Sequence, residues 1–233
     1  MNFFEDKPDI RLMIFDLDGT LIDSGLDLAL SVNAALRHLG RPTLDHDTIF
    51  SYVGRGAPDL IDQATGGAAS EEEIERGLHF FLRYYWDHKL DNTCLYPGVR
   101  EALGQLAEAA SGPSRTMAVL TNKPENVSRD IIDGLGLDHF FSYVYGGNSF
   151  AMKKPDPIGI HHLLSRTGID FDEAMMVGDS DVDIQAGSGA GIWTCGVSYG
   201  FGSISEEENP PHLMVETLPG LASVLLSCSM PSR

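Results

Sequence analysis

Asp16-Leu17-Asp18-Gly19-Thr20 sets two carboxylates two residues apart, directly after the apolar run Leu12-Met13-Ile14-Phe15. That run reads as a buried β-strand. Side chains two apart on a continuing strand point the same way, and Gly19 permits a sharp turn just beyond them. Paired acids at the carboxyl end of a strand lie where open α/β sheets bind ligands. One acid can act as a nucleophile while its neighbour moves protons or helps to hold a cation. A simple Asp-Gly turn fits the same residues, so the rest of the chain must decide.

Three further groups follow apolar runs. Thr121-Asn122-Lys123 precedes Pro124 and Glu125, a helix-start pattern. A hydroxyl, an amide and free N–H groups at a helix N-terminus form an anion cradle, although an ordinary N-cap has the same residues. In Lys153-Lys154-Pro155-Asp156-Pro157, Pro155 restricts the backbone of Lys154. The ammonium then projects from a stiffened loop, suited to a phosphate or carboxylate, or else to water. In Gly178-Asp179-Ser180-Asp181-Val182-Asp183, Asp179 and Asp183 are four apart and repel unless a cation lies between them. This is a candidate Mg²⁺ site. The helix dipole alone accounts for one or two of these acids.

The elements that must position these groups alternate. Strands are expected at Leu12–Phe15, Met117–Leu120, Phe141–Tyr145, Met175–Val177 and Thr194–Val197, with Leu213–Val215 as a sixth candidate. Helices are expected at Val99–Ala110, Pro124–Leu135, Pro157–Thr167, Asp181–Ala190 and Leu218–Ser227. Alternation of this kind implies an α/β fold: a Rossmann-like parallel sheet with helices on both faces and right-handed crossovers. Residues 24–95 break the pattern, with helical periodicity and no convincing strand. Ser24 is the expected N-cap of the first helix there and Gly40 its stop. An insertion this long forms its own unit. The expected organisation is a catalytic core of residues 1–23 and 96–233 and a helical cap of residues 24–95, able to close over the acids. Ser203–Pro211 reads as an exposed loop.

Composition narrows the function. The 233 residues are 42% hydrophobic, enough for a core, and carry a formal net charge of −18. That charge argues against nucleic acid or an acidic membrane surface as partner. It would also repel an anionic substrate unless local cations and backbone amides reverse the field at the site. Cys94, Cys195 and Cys228 are widely spaced, which disfavours a disulfide framework or zinc site and suggests a reducing compartment. Cys195 reads as an inert core thiol. The polar segment Met1–Arg11 lacks the pattern of a signal peptide, and no apolar run reaches membrane-spanning length. A cytoplasmic protein is expected.

The order Asp-x-Asp, Thr, Lys, Asp-x-x-x-Asp, with a helical insertion after the first pair, resembles the haloacid dehalogenase-like superfamily of phosphotransferases. The resemblance runs from about Leu12 to Gly202, and the DxDGT opening, the TN(K) step, the KPxP loop and the GDSxxD segment are all present. It implies that Asp16 is the nucleophile that forms an aspartyl-phosphate. It implies that Asp18 protonates the leaving oxygen and then activates water, its backbone carbonyl also binding Mg²⁺. Asp16 and Asp179 would ligate the metal and Asp183 would support it, directly or through water. Thr121 and Asn122 would bind the phosphoryl group. Lys154 would bridge phosphate and nucleophile and keep Asp16 ionised. Mg²⁺ and Lys154 would then supply the positive charge that an acidic chain needs at a phosphate site.

Specificity falls to the insertion. Gly54-Arg55-Gly56 resembles the cap loop of phosphoglycolate phosphatase-like members, and Arg55 could hold a carboxylate bidentately or point to water. Tyr84, Tyr85, Trp86 and His88 read as core rather than recognition, and Asp23 and Ser24 as hinge and cap residues. The expected activity is Mg²⁺-dependent hydrolysis of a small phosphorylated metabolite, 2-phosphoglycolate first, by a monomer or homodimer. A phosphomutase, a pyrophosphatase or nucleotidase, and a non-catalytic binding module are the alternatives; the last predicts lost catalytic positions, and none is lost.

Overall fold

The computed structural model describes residues 3, 8–67, 69–108, 115–205 and 207–228. Residues 109–110 of the expected Val99–Ala110 helix, Glu206 of the expected loop and most of the N-terminal segment lie outside them.

β1 (Leu12–Phe15) is buried along its whole length and pairs in parallel with β4 (Thr116–Leu120) on one side and β6 (Ala174–Gly178) on the other. β5 (Tyr143–Tyr145) extends the sheet beyond β4, while β7 (Trp193–Val197) and β8 (Leu213–Val215) extend it beyond β6. The six-stranded order is β5-β4-β1-β6-β7-β8. Alternation along β1 serves two cores. Met13 and Phe15 join a cluster with α5 (Val99–Glu108), α6 (Glu125–Gly134) and α9 (Leu218–Cys228). Leu12 and Ile14 join another, with Ile160 and Leu163 of α7 (Ile158–Thr167) and Ala186 of α8 (Asp181–Gly189). The parallel sheet with helices on both faces is the α/β, Rossmann-like fold expected. The strand expected over Phe141–Tyr145 begins later, because Asp138–Phe140 forms a 3₁₀ turn.

The inserted segment builds α1 (Gly25–His38), α2 (His46–Phe50), α3 (Ala57–Ala64) and α4 (Glu71–His88). In α4, Gly77, Phe81 and Tyr85 are buried at four-residue intervals, one face of a helix. The segment also contains a strand that periodicity did not reveal. β2 (Ile22–Asp23) and β3 (Cys94–Leu95) pair antiparallel, Ile22 with Leu95 and Asp23 with Cys94. Two residues per strand are too few for an alternation signal. Asp27, 2% exposed, fixes this junction by accepting hydrogen bonds from the backbone N–H groups of Asn92 and Thr93 and from both their side chains.

Candidate active site

Parallel pairing brings the carboxyl ends of β4, β1 and β6 side by side, and each delivers a polar group. Asp16 follows β1 directly, its N–H bonded to the Val177 carbonyl at 2.9 Å. Thr121 follows β4 and Asp179 follows β6. Lys154 arrives on the loop after β5 and is 4% exposed. Its Nζ lies 3.0 Å from Asp16 Oδ1 and 2.6 Å from Asp183 Oδ1. The neighbouring Lys153 is exposed and donates to the Arg55 carbonyl. Of the two adjacent lysines, Lys154 is therefore the one inside the site.

Asp16, Asp179 and Asp183 each offer a carboxylate oxygen, all within 4.8 Å of one another, and all three residues are buried. Burial raises the Asp16 carboxyl to about 6; Lys154 opposes that rise and Asp183 adds to it. Asp179 is pushed up to about 8, first by burial and then by its like-charged neighbours Asp183 and Asp16. Three buried acids facing one ammonium leave negative charge uncompensated. Asp16 Oδ1 is buried, with the Lys154 ammonium 3.0 Å away as its ion-pair partner. An oxygen-rich pocket with excess negative charge suits a hard divalent cation.

Local glycines make the cluster compact. A Cβ on Gly19, whose φ is +80°, would sit 2.1 Å from Asp179 Oδ2. One on Gly200 would meet the same oxygen at 2.3 Å. The Gly202 N–H donates to Asp179 Oδ2 at 2.8 Å. The loop Gly200-Phe201-Gly202 therefore belongs to the site. The sequence analysis assigns this loop no role.

Asp18 stands apart from the acid cluster. Its carboxylate accepts two hydrogen bonds from Lys123 Nζ, at 2.9 and 2.7 Å, and one from Ser24 Oγ at 2.5 Å. Ser24, expected to cap α1 with its side chain, makes no such cap; its hydroxyl is committed to Asp18 instead. Asp183 has both oxygens engaged, Oδ1 by Lys154 and Oδ2 by the hydroxyl and N–H of Ser180.

The helical insertion lies against this site. Asn122 Nδ2 donates to the carbonyls of Gly54 and Lys154, each at 2.9 Å. Phe50 stacks on Phe201, ring centres 5.7 Å apart. Gly56, φ +90°, lets the loop approach the core, where a Cβ would stand 3.1 Å from the Asn122 carbonyl. A small cavity of about 50 Å³ remains between the two parts, lined by Asp16, Asp18, Thr121, Asn122, Gly54 and Gly56 among others. Arg55 is exposed and does not line it. The two flanking glycines turn its backbone, not its side chain, toward the core. Asn122, expected to bind phosphate, here spends its amide on those two carbonyls.

Two lining residues escaped the sequence reading. Lys123, 7% exposed, sits with Nζ 4.6 Å from the centre of the Tyr85 ring. Burial works against its ammonium, but Asp18 outweighs that and raises its pKa. Tyr85, read as core, does pack into the core but also faces the cavity.

The family model for haloacid dehalogenase-like hydrolases matches residues 13–197. The chain is 39% identical over 207 residues to a phosphoglycolate phosphatase of Pseudomonas syringae pv. tomato, covering 86% of this chain and 74% of that protein. It is 35% identical over 223 residues to a phosphoglycolate phosphatase of Haemophilus influenzae, covering 92% of this chain and 98% of the other. The crystal structure of a predicted phosphoglycolate phosphatase from Haemophilus somnus superposes with a TM-score of 0.84 at 32% identity, covering 93% of this chain and 98% of that one. With four motifs gathered at one sheet edge and a family match over most of its length, the chain belongs to the haloacid dehalogenase-like hydrolases.

Proposed function

We propose that this chain is a Mg²⁺-dependent phosphomonoester hydrolase that works through an aspartyl-phosphate on Asp16, with 2-phosphoglycolate or a similar small phosphorylated metabolite as its substrate. One observation carries this reading: Lys154 joined to both Asp16 and Asp183, with Asp179 completing a buried acid cluster. The names of the relatives in Pseudomonas syringae and Haemophilus influenzae support the substrate.

Asp16 and Asp179 would hold the cation, which supplies positive charge against the phosphoryl oxygens when bound. Lys154 neutralises and orients the Asp16 carboxylate, and Asp183 holds Lys154. A carboxylate oxygen of Asp16 attacks phosphorus as the ester P–O bond breaks, and the leaving oxygen takes a proton from Asp18. Water then loses a proton to Asp18 and attacks phosphorus. Asp16 and inorganic phosphate are released. Thr121 and the N–H groups around it cradle the phosphoryl oxygens. Residues 24–95 act as a cap on the core of residues 1–23 and 96–233, excluding water from the cavity. The cavity's mostly apolar lining favours a small leaving group over a sugar, whose hydroxyls would lose their water without finding partners.

Phosphate release from a panel of phosphomonoesters, with Mg²⁺ and with EDTA, tests the reading. Release that needs Mg²⁺ and is fastest with phosphoglycolate is the expected result. Isomer interconversion of a sugar phosphate without phosphate release would sink it.

A further inference from the structure

The cavity holds one cation among its described lining residues, Lys123. Lys154 is turned to Asp16 and Asp183, and Arg55 is exposed. Apart from Asp16, Asp18, Thr121, Asn122 and Lys123, the lining is apolar side chains, glycine and the Tyr85 ring. The backbone of Lys123 is pinned at both ends. Its N–H donates to Thr121 Oγ1 at 3.3 Å, and its carbonyl accepts from the Gly147 N–H at 2.9 Å. The ammonium has three N–H donors, and Asp18 takes two of them, at 2.9 and 2.7 Å.

A phosphomonoester held at Asp16 must extend its alcohol portion into this cavity. A charged group there, cut off from water, needs an opposite charge within reach. Lys123 alone can provide it. We propose that Lys123 is the specificity residue for the leaving group: its remaining donor reads a carboxylate on a short alcohol portion and selects carboxylate-bearing phosphomonoesters over neutral ones of the same length. The proposal rests on the phosphohydrolase reading above and adds to it the residue that recognises the substrate. The flexible four-carbon stem lets the ammonium bridge Asp18 and the incoming carboxylate. The same contact sets the leaving oxygen beside Asp18, where the proton is needed.

The test compares kcat/KM for 2-phosphoglycolate and for 2-hydroxyethyl phosphate, in which a neutral hydroxymethyl group replaces the carboxylate, with Mg²⁺ present. The wild-type chain is expected to favour phosphoglycolate by about tenfold to a hundredfold, the range for one hydrogen bond to a charged group. Lys123→Met should bring that ratio close to one, and Lys123→Arg should keep a preference. Lys123→Gln retains a polar tip beside Asp18 and should also lose the preference, so the result does not depend on one variant folding. The readout is the ratio, because loss of a residue that only holds Asp18 lowers both substrates by the same factor. An unchanged ratio in Lys123→Met and Lys123→Gln, or no wild-type preference, overturns the proposal while phosphatase activity stands. No phosphate release from either substrate by the wild type overturns the phosphohydrolase reading, and this one with it.

Discussion

Asp183 Oδ1 accepts a hydrogen bond from Lys154 Nζ at 2.6 Å, with the two side chains 1% and 2% exposed. A pair this deep gives little net stability, because both charges have left water. What it fixes is direction: the ammonium is held within 3.0 Å of Asp16. Removing only Asp183 leaves that ammonium with Asp16 as its carboxylate partner and strands the N–H and hydroxyl of Ser180. Asp183→Ala is therefore expected to cost about 1–3 kcal/mol of stability in urea denaturation. The double variant Asp183→Leu with Lys154→Met should recover most of that loss and remain inactive. A single variant as stable as the wild type would show that the pair does not hold the site together.

Asp16→Asn keeps the shape of the side chain and one of its oxygens, but removes the nucleophilic charge. Turnover should fall below detection while calorimetry still registers Mg²⁺ binding. Near-normal phosphate release from this variant would refute the assignment of the nucleophile.

The acid cluster also makes stability depend on pH. The Asp179 carboxyl is raised to about 8 and that of Asp16 to about 6, mainly by burial. Groups raised in the folded state bind protons there more tightly than in the unfolded chain. Their contribution is present at pH 4 and is lost as pH rises through the folded values. Metal-free protein should therefore lose thermal stability between about pH 4 and pH 8. Added Mg²⁺ competes with protons for the same oxygens, so it should raise the melting temperature more at pH 8 than at pH 5. Equal shifts at both pH values would contradict a metal site at these acids.

Asp27 carries no chemistry, yet it accepts five hydrogen bonds at the base of the insertion. Truncation leaves the N–H and hydroxyl of buried Thr93 without partners, at about 1–3 kcal/mol for each group stranded. Asp27→Ala should destabilise by about 3 kcal/mol, a melting shift of roughly 6–12 °C for a chain of this size. A shift below about 2 °C would mean that the junction does not depend on this carboxylate.

The alternating strands and helices, and the acids and Lys154 at the strand ends, were legible because each is signalled within a few residues. Lys123 was not. A lysine at the start of a helix reads as a surface charge, and its burial comes from Asp18 and Tyr85, both far away in the chain. Gly200 and Gly202 were equally silent, because their importance lies in Asp179 standing against them. Arg55 stayed open between an anion ligand and a charge in water because residue type does not fix loop geometry; the loop that carries it turns backbone carbonyls to the core. Ser24 occupies the position expected for it, but with a different partner.

The antiparallel pair of β2 and β3 places the exit and re-entry of the helical segment on neighbouring hydrogen-bonded strands, about 4.8 Å apart. This stem is a separate two-stranded sheet and shares no rung with the six-stranded ladder. The helical segment thus leaves and rejoins the rest of the chain through one narrow hydrogen-bonded stem.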